Sequence, residues 1–187
     1  MSGKVVAAAI VGIVVLGIIM GVSFGAAIMG FYNTAVKMEN GIKAQYEQNK
    51  NNYDNYFKKL KETAQVPELY TGDMRKLYGE VMAGRYGSQG SRAMFQWIKE
   101  HNPTIDATLY KKVQDVIESG RNSFEADQKM LIDKKLQYDN YRQTFPNNVI
   151  AGFLGFPKIN LDEYAIVTSE ETEDAFKTKK SEPLKLR

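Results

Sequence analysis

Residues 5–31 read VVAAAIVGIVVLGIIMGVSFGAAIMGF, and no charged side chain occurs between Lys4 and Lys37. As a helix rising about 1.5 Å per residue, this run reaches about 40 Å. A bilayer hydrocarbon core is roughly 30 Å thick and takes about 20 apolar residues to cross. The run is therefore expected to be a transmembrane helix with length to spare for tilt. Signal h-regions stop at about 15 residues and end at a small-residue cleavage site. This run is nearly twice that, and although Gly25, Ala26 and Ala27 are small, a retained anchor is expected. The next most apolar stretch, 149–156, is too short to cross, so the expected topology is single-pass.

Working outward, the N-terminal side of the run holds Lys4 alone. The other side holds Lys37, Lys43 and Lys50, with Lys58, Lys59 and Lys61 beyond. Basic residues close to a membrane helix mark its cytoplasmic side, which favours a cytoplasmic C-terminal domain. The expected layout is a short tail over 1–4, the membrane helix over 5–31, a helical domain over 32–166 and a charged, disordered tail over 167–187. The tail is expected to be disordered because Glu170, Glu171, Glu173 and Asp174, followed by Lys177, Lys179 and Lys180, bury too little apolar surface to offset ordering entropy.

Composition closes off several chemistries. The net charge of +3 comes from 25 basic and 22 acidic residues that are interspersed, so no nucleic-acid partner is expected. There is no cysteine and a single histidine, His101. Disulfides, thiolate metal sites and His clusters are impossible within one chain. His101 follows Glu100 without the second His of an HExxH motif. No strained Gly-x-Ser-x-Gly turn presents a nucleophile to a His101–Asp106 pair. Neither a catalytic residue nor a cofactor or metal site is expected.

From Tyr32 the apolar positions Ala35, Ile42, Tyr46, Tyr53, Tyr56, Phe57 and Leu60 recur at helical spacings, one face of a helix that continues the anchor to about residue 64, where Pro67 closes it. Leu69, Met74, Leu77, Tyr78, Val81 and Met82 predict a second helix ending at Gly84, and 86–91 reads as a loop. Met94, Phe95, Trp97 and Ile98 form a brief apolar cluster stopped by Asn102-Pro103. Thr104 or Asp106 can cap the next helix. That helix, about 106–144, carries Leu109, Val113, Val116, Gly120, Phe124, Leu131, Tyr138, Tyr141 and Phe145 as its stripe, and Pro146 ends it. Two long amphipathic helices without alternating strand patterns predict an all-α fold: an antiparallel helical bundle whose long helices bury each other's stripes. Phe124 and Tyr138 are expected buried, and Lys111, Lys129 and Lys135 exposed.

Several of these residues together resemble the LemA family of bacterial membrane-anchored helical proteins. Tyr32-Asn33 just past the membrane run is similar to the family's Tyr-Asn-x-Leu-Val. Ile117-Glu118, Arg121-Asn122 and Phe124 resemble its Leu-Glu, Asn, Ile pattern. Tyr138-Asp139 with Phe145-Pro146 resembles its Tyr-Asn…Phe-Pro ending, and Ala151 with Gly155-Phe156 matches the following segment. Where the family has Arg-Arg-x-Asp-Leu-Ile-Pro-Asn-Leu, this chain keeps only Tyr53-Asp54 and loses the basic pair and the proline. The span 67–104 has no counterpart. The resemblance implies a LemA-like bundle on one N-terminal anchor, facing the cytoplasm from the inner membrane; the family has no settled biochemical activity, so the resemblance brings architecture more than mechanism.

Gly17, Gly21 and Gly25 repeat every four residues, so they share one face of the membrane helix and would let two such helices approach closely, as a homo-oligomer requires. The tyrosines at helical spacing read as core, not as a ligand-binding face. The expected function is a non-catalytic scaffold or interaction module whose partners are the bilayer, copies of itself and an unidentified protein. The competing reading is a membrane-active oligomer forming a pore. Ser23 is the one hydroxyl in the run, which leaves a pore without polar lining.

Overall fold

The computed structural model describes residues 3–84, 89–103, 107–168 and 170–179. Six α-helices account for most of them: α1 (Gly3–Ala64), α2 (Thr71–Met82), α3 (Gly90–His101), α4 (Ala107–Gln143), α5 (Asn147–Leu154) and α6 (Glu170–Thr178). Among the described residues there is no strand. Short 3-10 turns cover Glu68–Tyr70 and Leu161–Tyr164. The fold is all-α, and α1 runs without a break from the apolar segment into the amphipathic one.

The chain groups into two compact units. One comprises 1–43 with 134–163, and the other 44–133 with 164–187. In the first, Phe31, Ala35 and Glu39 of α1 are buried, as are Tyr138 of α4, Ile150 and Ala151 of α5, and Phe156. Phe31 stacks on Tyr141 at 5.4 Å between centroids and meets Phe156 edge-on at 5.5 Å. Phe156 also meets Tyr32 edge-on at 5.7 Å. The chain can return here because α5 stops abruptly. Gly155 takes φ 68° and ψ 47°, a left-handed conformation that costs glycine nothing. Its N–H donates to the Gly152 carbonyl, and the Phe156 N–H donates to Ala151 at 2.9 Å. That double closure absorbs carbonyls the helix would leave unpaired.

In the second unit, α1 supplies Phe57, Leu60 and Ala64 to a core completed by Met74, Tyr78 and Val81 of α2, Met94 and Ile98 of α3, and Val113 and Ile117 of α4. Gly120 lets α4 come close: a Cβ there would lie 3.2 Å from the Met82 methyl and 3.6 Å from Tyr56. Tyr56 hydrogen-bonds Ser123 at 2.8 Å, and Asn49 donates to the Asp127 carbonyl at 2.9 Å. Within each unit rising α1 numbers meet falling α4 numbers, 31 with 141 and 39 with 138 in the first, 49 with 127 and 56 with 123 in the second. The two helices are antiparallel in both.

Several expectations need correction. Phe124 is half-buried, packed at the core's edge against Tyr53, whereas Ile117, two turns earlier on α4, is fully buried. Phe145 is 79% exposed, since α4 ends at Gln143 before the stripe reaches it. Lys135 is half-buried and donates to the Leu161 carbonyl at 3.0 Å. Gly90 and Ser91, expected in a loop, open α3, and 170–178, expected disordered, form α6. Thr104 and Asp106, the expected caps, lie outside the described residues.

Candidate functional site: the bare helix and a charged cleft

No residue of the apolar window of α1 is buried. Among the described residues, α1 is the one helix long and apolar enough to cross a membrane. A soluble domain would cover such a surface, because each exposed Ile, Leu or Val forgoes about 1.5–3 kcal/mol of transfer energy. Here Ile10, Ile13, Leu16, Ile18, Val22 and Phe24 stand 58–73% exposed. The run presents an uncovered apolar surface long enough to cross a bilayer. Gly17 and Gly21 are exposed, with open space where a Cβ would project. Gly25 is partly covered, as is Ile28 one turn on, so the end of the run is where the rest of its unit begins to shield it.

Just beyond the run, Glu39 is 3% exposed. Its Oε1 accepts from the Tyr138 hydroxyl at 2.6 Å and from the Lys158 backbone N–H at 2.7 Å. A buried carboxylate persists only when its lone pairs are filled, and here one oxygen ties α1, α4 and the segment after α5 together. Burial, reinforced by the bond to Glu39, pushes the Tyr138 phenol well above its ordinary range. The phenol therefore stays a donor at any physiological pH.

The second unit holds an open cleft of about 1060 Å³ bordered by α3 and α4. Its walls carry the cations Arg92, Lys99 and Arg121, the carboxylates Glu118 and Glu125, and the rings of Phe95, Tyr110 and Phe124. Gln114 donates to Glu118 at 3.0 Å. Among the described residues no carboxylate lies within ion-pair distance of the three cations. Phe95 and Tyr110 meet edge-on at 4.1 Å across the α3–α4 seam.

No family model, curated protein or solved structure matches this chain. The resemblance read from the sequence therefore rests on its motif residues, and the structure divides those between the units. Glu118, Arg121, Asn122 and Phe124 all line the cleft. Tyr53 packs on Tyr78 and Phe124 at 5.0 and 5.6 Å, and burial raises its phenol's pKa. Asp54 is held below the usual carboxylate range by Lys58 at 2.7 Å and Arg75 at 3.1 Å. Arg75 in turn lies 4.1 Å over the Phe57 ring. In the first unit Tyr138, Ala151 and Phe156 are buried, whereas Tyr32, Asn33, Phe145, Pro146 and Gly155 are exposed.

His101 is occupied as well. Its Nδ1 donates to the Trp97 carbonyl at 2.8 Å, with the ring stacked on Trp97 at 4.0 Å and edge-on to Tyr70 at 4.5 Å. Its sequence partner Asp106 lies outside the described residues. Among the described residues no group of three or more carboxylate or imidazole side chains converges to hold a metal ion. Sequence reasoning missed Glu39, Asn49 and Asn102, three buried polar residues. Asn102 donates to the carbonyl of Ala64 at 2.9 Å, closing the last turn of α1. The available signal was faint: Glu39 falls four residues after Ala35 and three before Ile42, on the apolar face of α1.

Proposed function

We propose that the chain is a non-catalytic, LemA-like membrane protein, anchored by α1 at the inner membrane with its helical bundle in the cytoplasm, where it scaffolds partners and copies of itself. The observation that carries this reading is the wholly unburied apolar window of α1, which continues directly into a packed domain. The lysines from Lys37 onward support the cytoplasmic orientation. Gly17 and Gly21, open on one face, support contact between anchors. The cleft beside α3, with its cations Arg92, Lys99 and Arg121 and partly exposed rings, is the feature of the second unit suited to holding a partner's side chains.

Chemical crosslinking of intact membranes with mass-spectrometric mapping tests the proposal. The expected result is crosslinks between copies and to a second protein, the latter including Lys99 on the cleft. Recovery of intramolecular crosslinks alone would defeat the scaffold reading. Dye release from vesicles carrying the protein would instead favour a pore.

A further inference from the structure

The anchor does not account for a second apolar surface in the same unit. Residues 143–157, TFPNNVIAGFLGFP preceded by Gln143, carry no charge, and the segment is bounded by Arg142 and Lys158. Its helix, α5, is apolar on two sides. Ile150 and Ala151 face inward at 7% and 3% exposure, whereas Phe145, Val149 and Phe153 stand 79%, 63% and 81% exposed. Positions 149 and 153 are one helical turn apart and share a face of α5, and Phe145 stands exposed in the turn just before the helix. Single exposed apolar residues are ordinary, but a pair sharing a helix face with a third beside it, all on an uncharged segment, is not. Such a face in water is a liability unless something apolar covers it.

Its place in the unit says what that is. Phe156, directly after the turn that ends α5, packs on Phe31 and Tyr32, the last apolar residue of the anchor run and the first aromatic beyond it. The partial covering of Gly25 and Ile28 falls at the same end of the run. The exposed face of α5 is therefore held beside the point where α1 leaves the hydrocarbon. We infer that α5 is a second membrane contact: Phe145, Val149 and Phe153 enter the boundary between headgroups and acyl chains. Interfacial helices sit there, buried about 5–10 Å, with basic residues at their margins. Tyr32, 47% exposed beside Phe156, suits the same layer, where amphipathic rings concentrate. One contact pins the anchor and the other limits its rotation in the bilayer. The inference rests on reading 5–31 as a membrane helix.

Depth-dependent quenching of tryptophan tests it in the full-length protein reconstituted into phosphatidylcholine vesicles. Trp97 is the sole tryptophan and lies in the second unit. In a Trp97→Phe background, Phe24→Trp reports the anchor, and Phe153→Trp and Val149→Trp report α5. Lipids brominated near the top of the acyl chain should remove most of the emission from positions 153 and 149, and their spectra should be blue-shifted. Quenching at position 24 with solvent-like, unquenched emission at 149 and 153 overturns the inference and leaves the anchor standing. Blue-shifted but unquenched emission at both α5 positions also overturns it, because the cover would then be protein, such as a second copy. Absence of quenching at position 24 removes the anchor, and the inference with it.

Discussion

Replacing Tyr138 by Phe deletes one oxygen and leaves the ring to fill the same space. The lost hydroxyl is the donor 2.6 Å from Glu39 Oε1, inside a site where Glu39 is 3% exposed. The Lys158 N–H remains at 2.7 Å, so the carboxylate keeps one of its two direct partners. Hydrogen bonds to charged groups are worth about 1.5–3 kcal/mol, and stranding a buried acceptor costs at the upper end. Taking about 2 kcal/mol, and about 2–4 °C per kcal/mol for a chain of this size, Tyr138→Phe should lower Tm by about 4–8 °C. Far-UV circular dichroism of the full chain in detergent is the suitable assay, because the lone tryptophan sits in the other unit. Glu39→Met should also destabilise, by leaving the Tyr138 hydroxyl and the Lys158 amide without their acceptor. The double variant should lose less than the two singles together, since replacing both members of a buried polar pair removes the stranded group. A Tyr138→Phe protein that melts with the wild type, or singles that simply add, would refute the claim that this contact ties the unit together.

Burial holds the Tyr138 and Tyr78 phenols above their ordinary range near 10. The folded state therefore binds more protons than the unfolded state at alkaline pH, so stability is full below about pH 10 and falls as pH rises beyond it. A Tm series across that range should show the decline, and Tyr138→Phe should make it shallower. Ile98→Ala, at a fully buried position, should cost about 2–5 kcal/mol, whereas half-buried Phe124→Ala should cost less than its size suggests. Equal melting shifts for the two would place Phe124 in the core after all. Gly21→Leu should weaken crosslinked oligomers without impairing insertion, while truncation after Val167 should leave them unchanged; an intact ladder in Gly21→Leu would move self-association to the helical domain.

The helices were legible wherever hydrophobic spacing was long and regular. Ile42, Phe57 and Leu60 on α1 and Val113, Leu131 and Tyr138 on α4 are buried as their periodicity predicts. Periodicity is a property of a helix face, however, and it says nothing about where the partner ends. Phe145 continues the α4 pattern in sequence yet stands exposed, because the helix has already stopped at Gln143. Polar residues on an apolar face were illegible for a related reason. Glu39 and Asn49 are acceptable inside because specific distant groups, Tyr138 and the Asp127 carbonyl, satisfy them. Those pairings span 99 and 78 positions along the chain. The cleft was partly foreshadowed: Glu118, Arg121, Asn122 and Phe124 drew notice as a motif, but nothing in their spacing revealed that Arg92 and Lys99 of α3 stand with them. Chain ends follow weaker rules still. Residues 170–178 form α6 although their composition reads as disorder.

The central claim is that residues 5–31 cross a membrane once and leave the helical domain on the cytoplasmic side. Because the chain has no native cysteine, two single-cysteine proteins test this directly: Ser2→Cys before the run and the exposed Lys177→Cys in α6. Spheroplasts are treated with a membrane-impermeant maleimide before and after permeabilisation. The account predicts labelling at position 2 in intact spheroplasts and labelling at position 177 only after they are opened. Equal labelling of both sites without permeabilisation would contradict it.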